Sequence, residues 1–296
     1  MTRFRFDLRR RSFQLKAMKG KSSQLLSVTE NALLSLVIVA VIFAPAFLNA
    51  AEPKSGPAWR PIPLITDGKV DPNWVHLGWG SFVVDDGTLR TECDPKGLGL
   101  LVYKKERLGN CQVRIVFKQK EPKSNSGVYV RIADGILDQV DKPGAAFKRD
   151  AKGTPSKESM EKMKATGENE EGPWFAVHRG YEVQIAGGTG ADPLHRTGSI
   201  YSLAPSSAPS DKAGDWKTMI ITLDGKRIFV DLDGERVTSF DSEAAGQLPR
   251  KQWHEPKREP KRPEVGYLGL QNHDPGDIVW FKEVSVRPLR RGAANN

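Results

Sequence analysis

Glu182 and Gln184 stand two residues apart in the run Tyr181–Ile185. In an extended strand they share one face, while Tyr181, Val183 and Ile185 take the other. The apolar set must pack in a core, which leaves the carboxylate and the amide on the open face of a sheet. In Ser126–Ile132 the same spacing puts Gly127, Tyr129 and Arg131 together, with Val128, Val130 and Ile132 on the core side. A carboxylate, an amide, a guanidinium and a phenol on one concave surface make a polar site of sugar-ring size, and Gly127 leaves room for a ring to approach the backbone. Glu182 is the mid-strand carboxylate with polar neighbours, and it is the first choice for general acid or base. The competing reading is an ion pair with Arg131 that fixes the sheet face. His273, two beyond Gln271, suits an acid, a base or a metal ligand.

These groups need strands to hold them, and the chain from Trp59 onward is short alternating runs. Residues 112–118 put Val113, Ile115 and Phe117 on one side and Gln112, Arg114 and Lys118 on the other. Residues 216–223, 226–232 and 235–240 form a meander broken by Asp224-Gly225 and Asp233-Gly234, and Asp86-Gly87 marks another hairpin between 81–84 and 88–91. Asp-Gly between alternating runs predicts type I′ turns, because Gly accepts positive φ and Asp tolerates it. Further strands are read at 98–103, 266–271 and 278–286. About ten strands without a long 3.6-residue period predict an all-β, two-sheet antiparallel sandwich in one domain, residues 59–290. Two polar stretches, 133–180 and 246–264, interrupt it; the first contains one helical candidate at 156–165. Each is either a site wall or a loose loop. Trp174, Phe175 and Trp253 in or beside them either stack on sugar rings or pin the loops to the body.

The net charge of the 296 residues is +9, but residues 1–50 carry +6 of it; the rest has 37 basic and 34 acidic residues. No nucleic-acid-steering field is implied. The sequence holds no Gly-rich phosphate loop, dinucleotide fingerprint or nucleophile elbow. Basic residues up to Lys21, an apolar run from Ala32 to Leu48 and small residues at the exit read residues 1–50 as a signal peptide or an uncleaved anchor, with 51–58 as linker and 291–296 as tail. Either way the body is secreted or periplasmic, and it touches a membrane only through that segment. Cys93 and Cys111 flank the run 98–103, which reads as one strand and so puts them on neighbouring strands; they either pair or serve as small buried hydrophobes.

The ordered blocks Asn125-Ser126-Gly127-Val128-Tyr129-Val130-Arg131, Gly180-Tyr181-Glu182-Val183-Gln184-Ile185, Thr197-Gly198-Ser199-Ile200-Tyr201, Gly214-Asp215-Trp216, Gly269-Leu270-Gln271-Asn272-His273 and Val279-Trp280-Phe281-Lys282-Glu283-Val284 resemble the 3-keto-disaccharide hydrolase family, over most of the chain from Trp59 to Leu289. The resemblance implies a concanavalin A-like jelly roll, export, and cleavage or binding of sugars oxidised at the third carbon. Asn125, Tyr129, Arg131, Gln184, Tyr201 and Gln271, all in these blocks, are the candidate carbohydrate contacts together with Trp174 of the inserted segment, beside Glu182 and His273 as candidate catalytic residues. The chain departs from the family pattern at Ala186-Gly187-Gly188, where many relatives continue with Leu or an acidic residue, and at Asn272, where an acidic residue is common. A ketone at the third carbon acidifies the hydrogen on carbon two, so one positioned base can expel the glycosidic oxygen by elimination, with hydration to follow. That chemistry does not need the paired carboxylates of ordinary glycosidases. No cofactor is assigned; a divalent metal held by His273 with Glu182 stays open, and His76, His178, His195 and His254 show no ligand spacing. A non-catalytic lectin-like module and a cell-surface interaction protein are the alternatives. Oligomeric state is not legible.

Overall fold

The computed structural model describes residues 57–289 apart from 189, 211 and 245–246. The expected amino-terminal signal, most of the linker and the tail lie outside the described residues. The strands are, in chain order, β1 (Arg60–Pro61), β2 (Ile65–Thr66), β3 (Lys69–Val70), β4 (Trp74–Gly78), β5 (Ser81–Asp85), β6 (Thr88–Glu92), β7 (Gly99–Leu108), β8 (Cys111–Gln119) and β9 (Ser126–Ile132). Helices α1 (Lys157–Glu168) and α2 (Pro173–Arg179) follow. The chain closes with β10 (Tyr181–Ile185), β11 (Lys217–Asp224), β12 (Arg227–Leu232), β13 (Glu235–Asp241), β14 (Gly266–Asn272) and β15 (Val279–Pro288).

Two antiparallel sheets face each other as the alternation predicts. The larger runs β13-β12-β11-β8-β15-β6-β5, with β1 beside β15; the smaller runs β10-β9-β14-β7-β4. Val113, Ile115 and Phe117 of β8 and Val128, Val130, Val183 and Ile185 of the smaller sheet meet in the core between them. The larger sheet is half-exposed outside, and β8 alternates buried and partly exposed along its whole length. By contrast, β9 and β10 are buried on both faces. The cover on their second face is the 133–180 segment.

That segment is a wall, not a loose loop. Ile136, Met163, Trp174, Ala176 and Val177 form a second apolar cluster with Leu77, Leu100, Val102, Tyr129 and Ile132 on the outer face of the smaller sheet. The predicted helix at 156–165 forms as α1, capped by Ser156, whose hydroxyl accepts from the Ser159 amide at 3.1 Å. The sequence reading missed α2, although Pro173 at its first turn and apolar Trp174 and Val177 three apart are its signature. It also missed β4, which pairs with β7 along the sheet edge.

Asp86-Gly87 (φ 46° and 71°) and Asp233-Gly234 (φ 51° and 90°) make the type I′ turns expected. The turn at Asp224 differs. Asp224 pairs with Arg227, so Gly225 and Lys226 are central, and Gly225 alone has positive φ. Cys93 and Cys111 are both free. Contrary to the expectation of neighbouring strands, β15 lies between β6 and β8.

Candidate functional site

Sheet pairing sets the site's first row. Glu182 on β10 opposes Tyr129 on β9, and Gln184 opposes Gly127. The Tyr129 phenol donates to Glu182 Oε2 at 2.7 Å and accepts from Gln271 Nε2 at 3.2 Å. With the Gln184 amide oriented so that its nitrogen faces acceptors only, it donates to Glu182 Oε1 at 3.1 Å and to the Ser126 carbonyl at 2.9 Å. A bridge between Val183 and Ile200 brings the next stretch alongside, and the Tyr201 amide donates to the Glu182 carbonyl at 3.0 Å.

Gly127 has a different task from the one expected. A Cβ there would lie 2.3 Å from Glu182 Oε1, so the missing side chain makes room for the carboxylate itself, not for a ligand ring.

Around this row opens a cavity of about 360 Å³, lined among others by Asn125, Tyr129, Trp174, Glu182, Gln184, Tyr201, Gln271 and His273. Every expected site residue but one therefore converges on it. The exception is Arg131. At φ 53°, it sits in a bulge where Tyr267 pairs with Ile132 but Gly269 with Tyr129, so β9 spends an extra residue there. One extra residue exchanges the faces beyond it. Ile132, expected in the main core, joins the outer cluster, and Arg131 leaves the cavity for surroundings that include Cys111 and Tyr181. Its expected roles, ligand contact and ion pair to Glu182, are both corrected.

Sequence reasoning did not select Arg149, His254 and Asp274, which also line the cavity. Trp253 lines it too, and its ring centroid is 5.1 Å from that of Trp174. The two tryptophans thus pin their segments together and form the cavity wall, while Phe175 packs in the apolar cluster away from it. The segment carrying Trp253 and His254 is clamped to the α1–α2 region. The Arg250 guanidinium donates to Glu168 Oε2 at 3.1 Å, and Lys257 Nζ donates to Glu170 Oε1 at 2.9 Å. No sequence signal near residue 254 announces that tertiary placement.

Burial sets the carboxyl of the site, and acidic neighbours set its imidazole. Glu182 is only 8% exposed, and loss of water pushes its carboxyl up to about 7, even though the Tyr129 hydroxyl, His273 and Gln271 favour the anion. Burial alone would lower the His273 imidazole, but Asp274 and Asp277 beside Nδ1, at 3.5 and 3.4 Å, outweigh it and hold the group up at about 9. The site pairs a carboxyl poised near neutrality with an imidazolium. Gln271 Oε1 and Asn125 Oδ1 are buried acceptors without a protein partner, a condition that calls for a donor from a ligand or water.

Donor atoms of His273, Asp274 and Asp277 lie within 4.8 Å of one another and have the chemistry to hold a divalent cation. This set differs from the His273–Glu182 pair considered from sequence. Asn272, where the resemblance implied a carboxylate in relatives, is not among the residues that line the cavity: its Oδ1 is 3.1 Å from His76 Nε2, and its Nδ2 donates to the Trp79 carbonyl at 2.8 Å. Asn272 thereby ties the end of β14 to β4 and to the residue that follows it.

A family profile described as a 3-keto-alpha-glucoside-1,2-lyase-like domain matches residues 60–287. No curated protein matches the chain. Among solved structures, a candidate glycosyl hydrolase from Parabacteroides distasonis superposes with a TM-score of 0.54 at 21% identity, covering 78% of this chain and all of that one. A protein of unknown function with a galectin-like fold from Bacillus subtilis gives 0.46 at 13% identity, covering 79% and 100%. A carbohydrate-binding module, also from Bacillus subtilis, gives 0.42 at 10% identity, covering 75% and 98%. Identities this low speak to the fold.

Proposed function

This chain belongs to the 3-keto-alpha-glucoside-1,2-lyase-like family, and from that premise we propose that it is an exported enzyme cleaving 3-keto-glycosides by proton abstraction and elimination. The observation that carries this reading is Glu182: a buried carboxyl near pKa 7 at the floor of a cavity, braced by Tyr129 and Gln184. In its ionised form Glu182 takes the proton from carbon two of the sugar, which the neighbouring ketone acidifies. The electron pair moves toward the ketone oxygen, and cationic His273 stabilises the enediolate charge. Return of the pair expels the glycosidic oxygen from carbon one and leaves an enone, to which water then adds. Asn125 and Gln271 accept from sugar hydroxyls, and Trp174 with Trp253 offers an aromatic wall. Export is supported by the basic stretch and apolar run of residues 1–50.

The test is release of the aglycone from 3-keto-glucosides, measured with and without chelator, against the unoxidised glucosides. Cleavage confined to the keto substrates is the expected result; cleavage of neither refutes catalysis. The orphaned acceptors and aromatic wall also suit a carbohydrate-binding module without turnover. Such a module would bind the keto-glucosides by calorimetry, release nothing, and keep its affinity in Glu182→Gln.

A further inference from the structure

Expulsion of a glycosidic oxygen leaves an alkoxide that needs a proton, and the cavity holds a hydroxyl beside Glu182 that can supply it while Glu182 keeps the proton from carbon two. We propose that Tyr201, backed by His254, is the acid that protonates the leaving oxygen; this rests on the elimination reading above. The backbone bond from Tyr201 to Glu182 and the Val183–Ile200 bridge set the two side chains next to each other, and both line the cavity. Carbon one and carbon two of a sugar are adjacent atoms, so a base and an acid side by side match the two positions where protons must move. The Tyr201 hydroxyl lies 3.0 Å from His254 Nδ1. Its ring is held by His195, with centroids 4.9 Å apart, and His195 is in turn hydrogen-bonded to Ser202 at 2.8 Å. Both the phenol and His254 therefore have fixed positions.

Burial supports the assignment of protons. It raises the Tyr201 phenol, so the hydroxyl keeps its proton, and lowers His254, which stays neutral. Tyr129, the other phenol on the cavity, is engaged as donor to Glu182 and is not free for this task.

The step balances within these groups. The bond from carbon one to oxygen breaks, and its electron pair leaves with the oxygen. The Tyr201 proton forms the new O–H bond. His254 Nδ1–H passes its proton to the phenolate as Nε2 recovers one from water, and the hydroxide so formed takes the carbon-two proton from Glu182, which returns every group to its starting charge.

The test is leaving-group dependence. Methyl 3-keto-glucoside has a poor leaving group that needs the acid; 4-nitrophenyl 3-keto-glucoside has a good one that does not. For Tyr201→Phe, kcat/KM should fall about 10²- to 10⁴-fold on the methyl substrate and less than about tenfold on the nitrophenyl substrate. His254→Asn, which keeps a polar group near the phenol, should show the same skew in weaker form. Equal losses on both substrates, or no loss on the methyl substrate, would overturn the role of Tyr201 while leaving the elimination reading intact. Wild-type protein inert on both would bring down the two together. Unchanged melting temperature in Tyr201→Phe would confirm that the skew does not come from misfolding.

Discussion

Glu182 carries opposite consequences for activity and for stability. As the base it must be ionised, so kcat/KM should rise with pH and level off above about 7. Glu182→Gln should lose at least 10²-fold in kcat while retaining ligand affinity. Folding has the reverse preference. The folded carboxyl binds its proton more tightly than the unfolded one, at about 7 against 4.5. Its stabilising effect is complete below the unfolded value and is lost as pH rises through the folded one, a swing of about 3 kcal/mol. Glutamine stays neutral throughout. The Glu182→Gln variant should therefore out-melt the parent at pH 8 by on the order of 5 °C, with the gap closing toward pH 4. A gap that stays constant from pH 4 to 8 would show that the carboxyl is not strained by burial. A second residue tests the same carboxyl from beneath. Gly127→Ala places a methyl 2.3 Å from Glu182 Oε1, so the carboxyl must shift. A misplacement of about 1 Å is enough for a loss of about 10²-fold in turnover, with far-ultraviolet circular dichroism unchanged.

At the scale of elements, period-two patterning reached the strand faces because burial of one face enforces it. Ser126–Ile132 and Tyr181–Ile185 form with the limits read from sequence, and Glu182 and Gln184 face the cavity as their spacing requires. Patterning failed at Arg131 because a bulge is a property of two strands. Nothing in Val-Tyr-Val-Arg-Ile says that β14 will skip a residue opposite it. The inserted segments were opaque for the same reason: their apolar residues are sparse and gain partners only against the outer face of the smaller sheet. Trp253 is the joint between them, packed on Trp174 and so close to α1 that a Cβ at Gly167 would come within 2.9 Å of its ring. Trp253→Ala should destabilise by about 2 kcal/mol, less than a fully buried tryptophan because its ring is partly exposed. It should also raise KM by thinning the cavity wall. Denaturant melts and Michaelis curves on one preparation check both; a rise in KM without loss of stability would separate the wall from the joint.

For the whole described domain, the question left by the sequence was whether a covalent staple helps two sheets hold together. The topology answers it through strand order. Cys111 begins β8 and pairs with Pro288 at the far end of β15, whereas β6, just before Cys93, pairs with Trp280 and Phe281 near its start. The two cysteines thus sit on opposite sides of β15 and at opposite ends of it. Cys111 is in the apolar core, and Cys93 Sγ donates to the Asp277 carbonyl at 3.1 Å. Burial pushes both thiols up to about 11, so neither is a ready thiolate at neutral pH. The sandwich must be held by its inter-sheet core alone, with no loop-closure contribution from a disulfide. Melting temperature should accordingly be the same with and without reductant. Thiol titration should find two reactive groups per chain after denaturation and only slow reaction before it, even in protein recovered from an oxidising compartment. A fall of several degrees on reduction would mean that the strands carrying these cysteines are arranged differently, and the placement of the cavity on the smaller sheet would fall with them.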